Sequence, residues 1–386
     1  MKSTLIPENK FLPHLLGLSV LVAFLLPHTN AVMMLVNPIL CVLLIIANKG
    51  RISYKKWPIV VIPIVISFIF CSTQGITLKA FERVAVIILY FVCFPFVTKV
   101  KLPNYYLYIC LGVIIISQLA YLLGIPFITS FLDTYYPIPE EMEKTIGYIQ
   151  RGVTRDNIMN YRLGGLYRGV NPCARFLNML MAIYIINNSN RKFSSLLPFL
   201  ITNFLGVVLT GSRTGFVVGA LLGISFVYVT DSISKRLRYV LVALGSALFV
   251  SLLFSDNSTY RAFRVFEGFN DSASEKSTIF TTYLSNETSV ISLLFGHFDN
   301  KGTFFDSDYG DIIYSFGFIG FFAILFYFYK LYKRTNKIGR IFYLMLLWMY
   351  SATIIMSFRP IFAFMLLLSL VYSTQSKTQM TLRENN

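Results

Sequence analysis

Charge is scarce in this sequence. Only 13% of its residues are charged, about half the share found in an ordinary soluble domain. The long apolar runs are almost free of ionisable side chains. Glu82, Arg83 and Arg175 are the nearest exceptions, and each lies within a turn or two of a predicted helix end. A charge at the centre of a bilayer costs about 2.5–3.5 kcal/mol on insertion scales, a cost that transporters accept to build ion pathways. Such a pathway is excluded here, and any chemistry is expected at a membrane surface. Paired cysteines are lacking too. Cys41, Cys71, Cys93, Cys110 and Cys173 lie in or at the ends of apolar runs. They form no disulfide framework and no metal-ligand spacing, and read as small buried hydrophobes. There is no internal repeat.

What the chain has is apolar length. Of its 386 residues 55% are hydrophobic and 16% aromatic. Runs of about 17 or more apolar residues recur, each long enough to cross a bilayer as a helix. The predicted fold class is all-α, a polytopic transmembrane bundle of about twelve spans. The spans fall near 11–26, 31–47, 57–71, 81–97, 105–124, 172–187, 194–210, 214–230, 239–254, 311–329, 341–357 and 360–373. The N-terminal stretch lacks a small-residue cleavage site and is expected to remain as the first helix.

The net charge of +16 does not point to nucleic acid, because the basic residues form no single stripe. They cluster instead in alternate connections: Lys49 to Lys56, Lys99 and Lys101, Arg191 and Lys192, Lys235 to Arg238, and Lys330 to Arg340. The positive-inside rule places these connections and both termini in the cytoplasm. The opposite face receives two long loops, 125–171 and 255–310, which hold most of the acidic residues. Residues 1–386 are therefore expected to form one integral membrane domain capped by these two loops.

Candidate chemistry gathers where inward-running helices begin. Gly211-Ser212-Arg213-Thr214-Gly215 is a tight outer hairpin with Ser212 as a cap. A helix N-terminus beside an arginine is a ready anion site. A snorkelling arginine that anchors the hairpin at the headgroups remains the alternative. Asn171-Pro172 reads as an N-cap followed by the first residue of the next inward helix, with Arg162 and Arg168 just before it and Arg175 one turn inside. Arg359 precedes Pro360 at the start of the last span. Guanidinium forks bind phosphate bidentately and keep their charge, so the set suits a diphosphate. Asp308 and His297 are candidate bases for a hydroxyl nucleophile; a helix cap and a polar loop residue are their plainer roles. Tyr135, Tyr136, Tyr161 and Tyr167 are candidate rings for stacking on sugars. No metal or other cofactor is expected, since arginine supplies the positive charge.

The chain resembles the O-antigen polymerase (Wzy) family, within the wider group that includes the O-antigen ligases. The likeness rests on the topology and on Leu209-Thr210-Gly211-Ser212-Arg213-Thr214-Gly215, with the two outer loops. Phe295-Gly296-His297, Ser307-Asp308-Tyr309-Gly310 and Phe316-Gly317-Phe318-Ile319-Gly320 add to it. The resemblance implies a bacterial inner-membrane glycosyltransferase acting at the periplasmic face. Its substrate would be an oligosaccharide repeat unit on undecaprenyl diphosphate, and the growing chain would move to the non-reducing end of a new unit. Partners implied are membrane lipid, a chain-length regulator and a flippase, and no nucleic acid. The alternatives are an O-antigen ligase acting on lipid A–core and a lipid-linked oligosaccharide flippase.

Overall fold

The computed structural model describes residues 11–27, 35–47, 58–72, 81, 84–85, 87–88, 91, 101–136, 163–167, 169–188, 191–230, 233–253, 269–287, 289–297, 307–348 and 360–371. Every element among them is helical. In chain order they are α1 Phe11–Leu25, α2 Asn37–Ala47, α3 Pro58–Ser72, α4 Asn104–Leu123, α5 Pro126–Tyr135, α6 Val170–Asn187, α7 Phe193–Leu209 and α8 Arg213–Val229. Then come α9 Lys235–Leu253, α10 Phe269–Asn286, α11 Val290–Phe295, α12 Asp308–Arg334, a 3₁₀ helix Gly339–Leu347 and α13 Pro360–Val371. Much of the fourth predicted span, and residues 349–357 of the eleventh, lie outside the described residues.

Two helices, Asn104–Leu123 and Asp308–Lys333, are long and apolar enough to cross a membrane. The outward faces of the bundle are apolar as well: Ile46, Ile116, Leu123, Ile201, Leu205 and Phe322 are all more than half exposed. The interior is organised around α6 and α13, whose residues 173–186 and 360–371 are buried on every side. A helix that is apolar all round belongs at the centre of its bundle.

The second of the two long helices is not straight. Gly317 interrupts α12 with φ 65° and ψ −176°. The Tyr309 and Phe321 rings lie 6.0 Å apart, although twelve residues of straight helix span about 18 Å. The segment Asp308–Phe316 therefore turns sharply against the rest of α12. Gly317 is needed for contact as well as for φ. A Cβ there would fall 2.1 Å from Leu294 O, a backbone atom that cannot step aside. Ser67 of α3 donates to Phe316 O at 3.2 Å, meeting a carbonyl freed at the break.

Both long loops contain helices that hydropathy alone does not reveal. Gly124 ends α4 with φ 65°, and Pro126 opens α5 two residues later. A left-handed glycine followed by a proline at the first helical position is a stop and a restart. In the second loop, α10 is polar overall, and α11 begins where Ser289 Oγ accepts from Ser292 N at 3.3 Å.

Candidate functional site

The hairpin between α7 and α8 is built from its own side chains. Thr210 Oγ1 donates to Val207 O at 2.6 Å and accepts from Ser212 N at 3.1 Å. Ser212 Oγ accepts from Gly215 N at 3.2 Å, capping α8, and donates to Asn171 Oδ1 at 2.8 Å. That last bond ties the start of α8 to the start of α6. Asn178 Nδ2 adds a second tie, donating to Gly215 O at 3.0 Å. The two helices come this close because Gly215 has no side chain; a Cβ there would lie 2.5 Å from Ala174 Cβ.

Asn171 differs from its expected role. The N-cap of α6 is Gly169, which makes no side-chain bond, and Asn171 lies inside the first turn with Pro172 behind it. Proline is tolerated there because first-turn N–H groups have no intrahelical acceptor. The Asn171 carboxamide is thereby available to Ser212. Arg213 is the first residue of α8 and is half-buried. Arg175, in the second turn of α6, is 6% exposed, with its guanidinium carbon 5.8 Å from the centre of the Phe176 ring. Two adjacent positive helix ends thus carry Arg213 and Arg175.

The segment 163–167 is wedged beside this corner. Gln118 Nε2 donates to Leu163 O at 3.2 Å and to Gly206 O at 3.1 Å, and Leu166 N donates to Ser117 Oγ at 2.8 Å. Tyr167, expected to stack on sugar, is fully buried. Its ring stacks on Phe176 at 4.8 Å, and its hydroxyl donates to Phe24 O at 2.8 Å. Protein therefore occupies that ring face. Tyr136 donates to Leu25 O at 2.7 Å, while Tyr135 is 59% exposed. Arg162, Arg168, Arg359 and Tyr161 lie outside the described residues.

His297 and Asp308 belong to the other side of the bundle. Asp308 and Asp311 are buried in the first turn of α12, where negative charge favours the helix dipole. His297 follows Gly296, which lies directly against Ser315. His297 N donates to Tyr314 O at 2.8 Å, and His297 Nε2 pairs with Glu287 Oε2. The other carboxylate oxygen of Glu287 accepts from Ser289 N at 3.1 Å. Tyr283 stands beside the pair. Burial and the neighbouring charge of Glu287 push its hydroxyl up to about 12, so it stays protonated at ordinary pH.

The 3₁₀ helix lies between these two sides. It packs on α6 and α8, and its Leu346 O accepts from Tyr309 Oη at 3.0 Å. Among the described residues, no three of His, Cys, Asp and Glu gather into a metal-binding group. Glu287, Tyr283 and Tyr314 are site residues that the sequence did not single out. No protein-family model matches the chain, and no curated protein or solved structure matches it either.

Proposed function

We propose that the chain is a surface-polysaccharide polymerase of a bacterial inner membrane, with about twelve spans, cytoplasmic termini and its active face in the periplasm. It joins oligosaccharide repeat units carried on undecaprenyl diphosphate. The observation that carries this reading is the Ser212–Asn171 bond of 2.8 Å. It holds two helix N-termini side by side, with Arg213 at one and Arg175 at the other. Reactions that expel a diphosphate need fixed positive charge where the leaving oxygen becomes negative. Helix ends and guanidinium groups supply it without moving. The apolar outer faces of the helices suit a substrate whose carrier is a lipid, and the polar loop helices suit its sugars.

In the transfer, an acceptor hydroxyl oxygen bonds to the anomeric carbon of the growing chain. The bond from that carbon to the diphosphate breaks, and its electron pair leaves with undecaprenyl diphosphate. Arg213 would stabilise that departure, and Arg175 would reinforce the local field from beneath.

The test is the lipopolysaccharide banding of a null strain and of strains complemented with variants. Arg213→Ala should abolish polymer while the protein remains inserted, and Arg213→Lys should recover little, because a point charge lacks the bidentate fork. A null strain that caps lipid A with single repeat units supports the polymerase. Lipid A without any cap would indicate a ligase, and lipid-linked units trapped on the cytoplasmic side would indicate a flippase. Full-length polymer from Arg213→Ala at normal expression would remove this arginine from the mechanism.

A further inference from the structure

An apolar groove of about 790 Å³ lies along α12 beyond its break at Gly317. Pro63 of α3, Leu294 of α11, and Phe322, Ala323, Phe326 and Tyr329 of α12 line it. Phe322, Phe326 and Tyr329 are exposed. The α12 residues of the groove begin at Phe318 and end at Tyr329, which is about 16 Å of helix at 1.5 Å per residue. The hydrocarbon core of a bilayer is about 30 Å thick. The groove is therefore about as long as one leaflet is deep.

Its C-terminal end carries positive charge. Lys330 and Lys333 follow Phe326 and Tyr329 by one turn each, on the same face of α12. Lys330 Nζ lies 4.9 Å from the centre of the Phe326 ring, and Lys333 Nζ lies 4.7 Å from that of Tyr329. Both side chains thus lean back toward the N-terminus of α12, along the groove, as the tilt of a helix directs them. A lysine that only reached for water from the end of a span would extend the other way. The ring faces hold the two ammonium groups in place.

We infer that this groove binds one acyl chain of an anionic phospholipid, with the lipid phosphate against Lys330 and Lys333. A chain entering at the lysines ends near the bilayer midplane, where the groove ends too; the far longer tail of a polyprenyl carrier would run on past it. The groove has no charged lining residue, and the Tyr329 hydroxyl is its one polar side-chain group among the described residues, so a polar ligand gains nothing along it. Two ammonium groups at one end favour a headgroup of net negative charge over a zwitterion. In the proposed topology these lysines meet the cytoplasmic leaflet. The inference goes beyond the glycosyl transfer and requires only that α12 lies in a bilayer.

The experiment places the full chain in nanodiscs and measures tryptophan quenching by lipids brominated on their acyl chains. Phe326→Trp puts a reporter in the groove and keeps a ring beneath Lys330. The signal of the 2 native tryptophans is read from the parent chain and subtracted. Brominated phosphatidylglycerol should bind at the reporter about tenfold more tightly than brominated phosphatidylcholine, the scale set by one or two lysines at a membrane surface. Lys330→Gln with Lys333→Gln should bring that ratio close to one. Ile116→Trp, on the exposed face of α4, should show a ratio close to one with both lysines present. A ratio close to one at Phe326→Trp, or an equal preference at Ile116→Trp, overturns the site. Displacement of the brominated phosphatidylglycerol by a small fraction of undecaprenyl phosphate overturns the phospholipid as its occupant. Quenching by neither lipid takes α12 out of the bilayer and overturns the proposed function as well. Tenfold selectivity in a chain that forms no polymer keeps the lipid site and overturns the polymerase.

Discussion

Ser212 makes two bonds with one hydroxyl: it accepts from Gly215 N and donates to Asn171 Oδ1. Ser212→Ala removes both. Loss of a cap costs about 1 kcal/mol, and the stranded Asn171 carboxamide adds to it. Asn171→Ala removes only the cross-link. Thermal unfolding in detergent should therefore rank wild type above Asn171→Ala and Asn171→Ala above Ser212→Ala. Equal midpoints for the three would mean that the helix starts are held by packing alone. This corner was partly legible in the sequence. The cap at Ser212 follows from a Ser before a helix with small residues around it. Its partner Asn171 did not, because a hydrogen bond across 41 positions of chain leaves no local pattern. The same holds for Glu287, whose meeting with His297 depends on how the turn at Ser289 and the close approach at Gly296 bring α10 and α11 around.

At the level of elements, α12 is the helix whose form departs most from a plain span. Gly317→Ala must push its new methyl into Leu294 O, and it also requires an unfavourable φ. The expected result is loss of monodisperse protein on gel filtration, with Gly112→Ala as the mild control, because a Cβ at Gly112 meets nothing within 4 Å. Normal yield and elution from Gly317→Ala would mean that the break relaxes freely. Hydropathy found the apolar body of this helix but not its bend, since Gly in an apolar run reads equally as packing or as hinge. Helices α5 and α10 were missed for a different reason. They are short or polar, and a window that sums apolarity passes over them, although the Gly124-Ile125-Pro126 punctuation of α5 was visible.

Over the whole molecule, the alternation of basic connections predicts sidedness. In a background without the native cysteines, a cysteine at the exposed position 135 should react with a membrane-impermeant maleimide from the periplasm, and one at the exposed position 236 only after the membrane is opened. Labelling of 135 from the cytoplasm alone would invert the bundle and remove the proposed site from the periplasmic face. The all-helical character was readable because apolar runs longer than any strand leave no other choice. The assignment of function was not readable from span count, which polymerases, ligases and flippases share. Two hydroxyls described above act on a larger scale than their own turns. Tyr136 and Tyr167 donate to the neighbouring carbonyls Leu25 O and Phe24 O, which stand at the C-terminal end of α1, where carbonyls have no helical N–H to accept from. One helix end is thus closed by two phenols from separate parts of the chain, so fraying at the tip of α1 would release both at once.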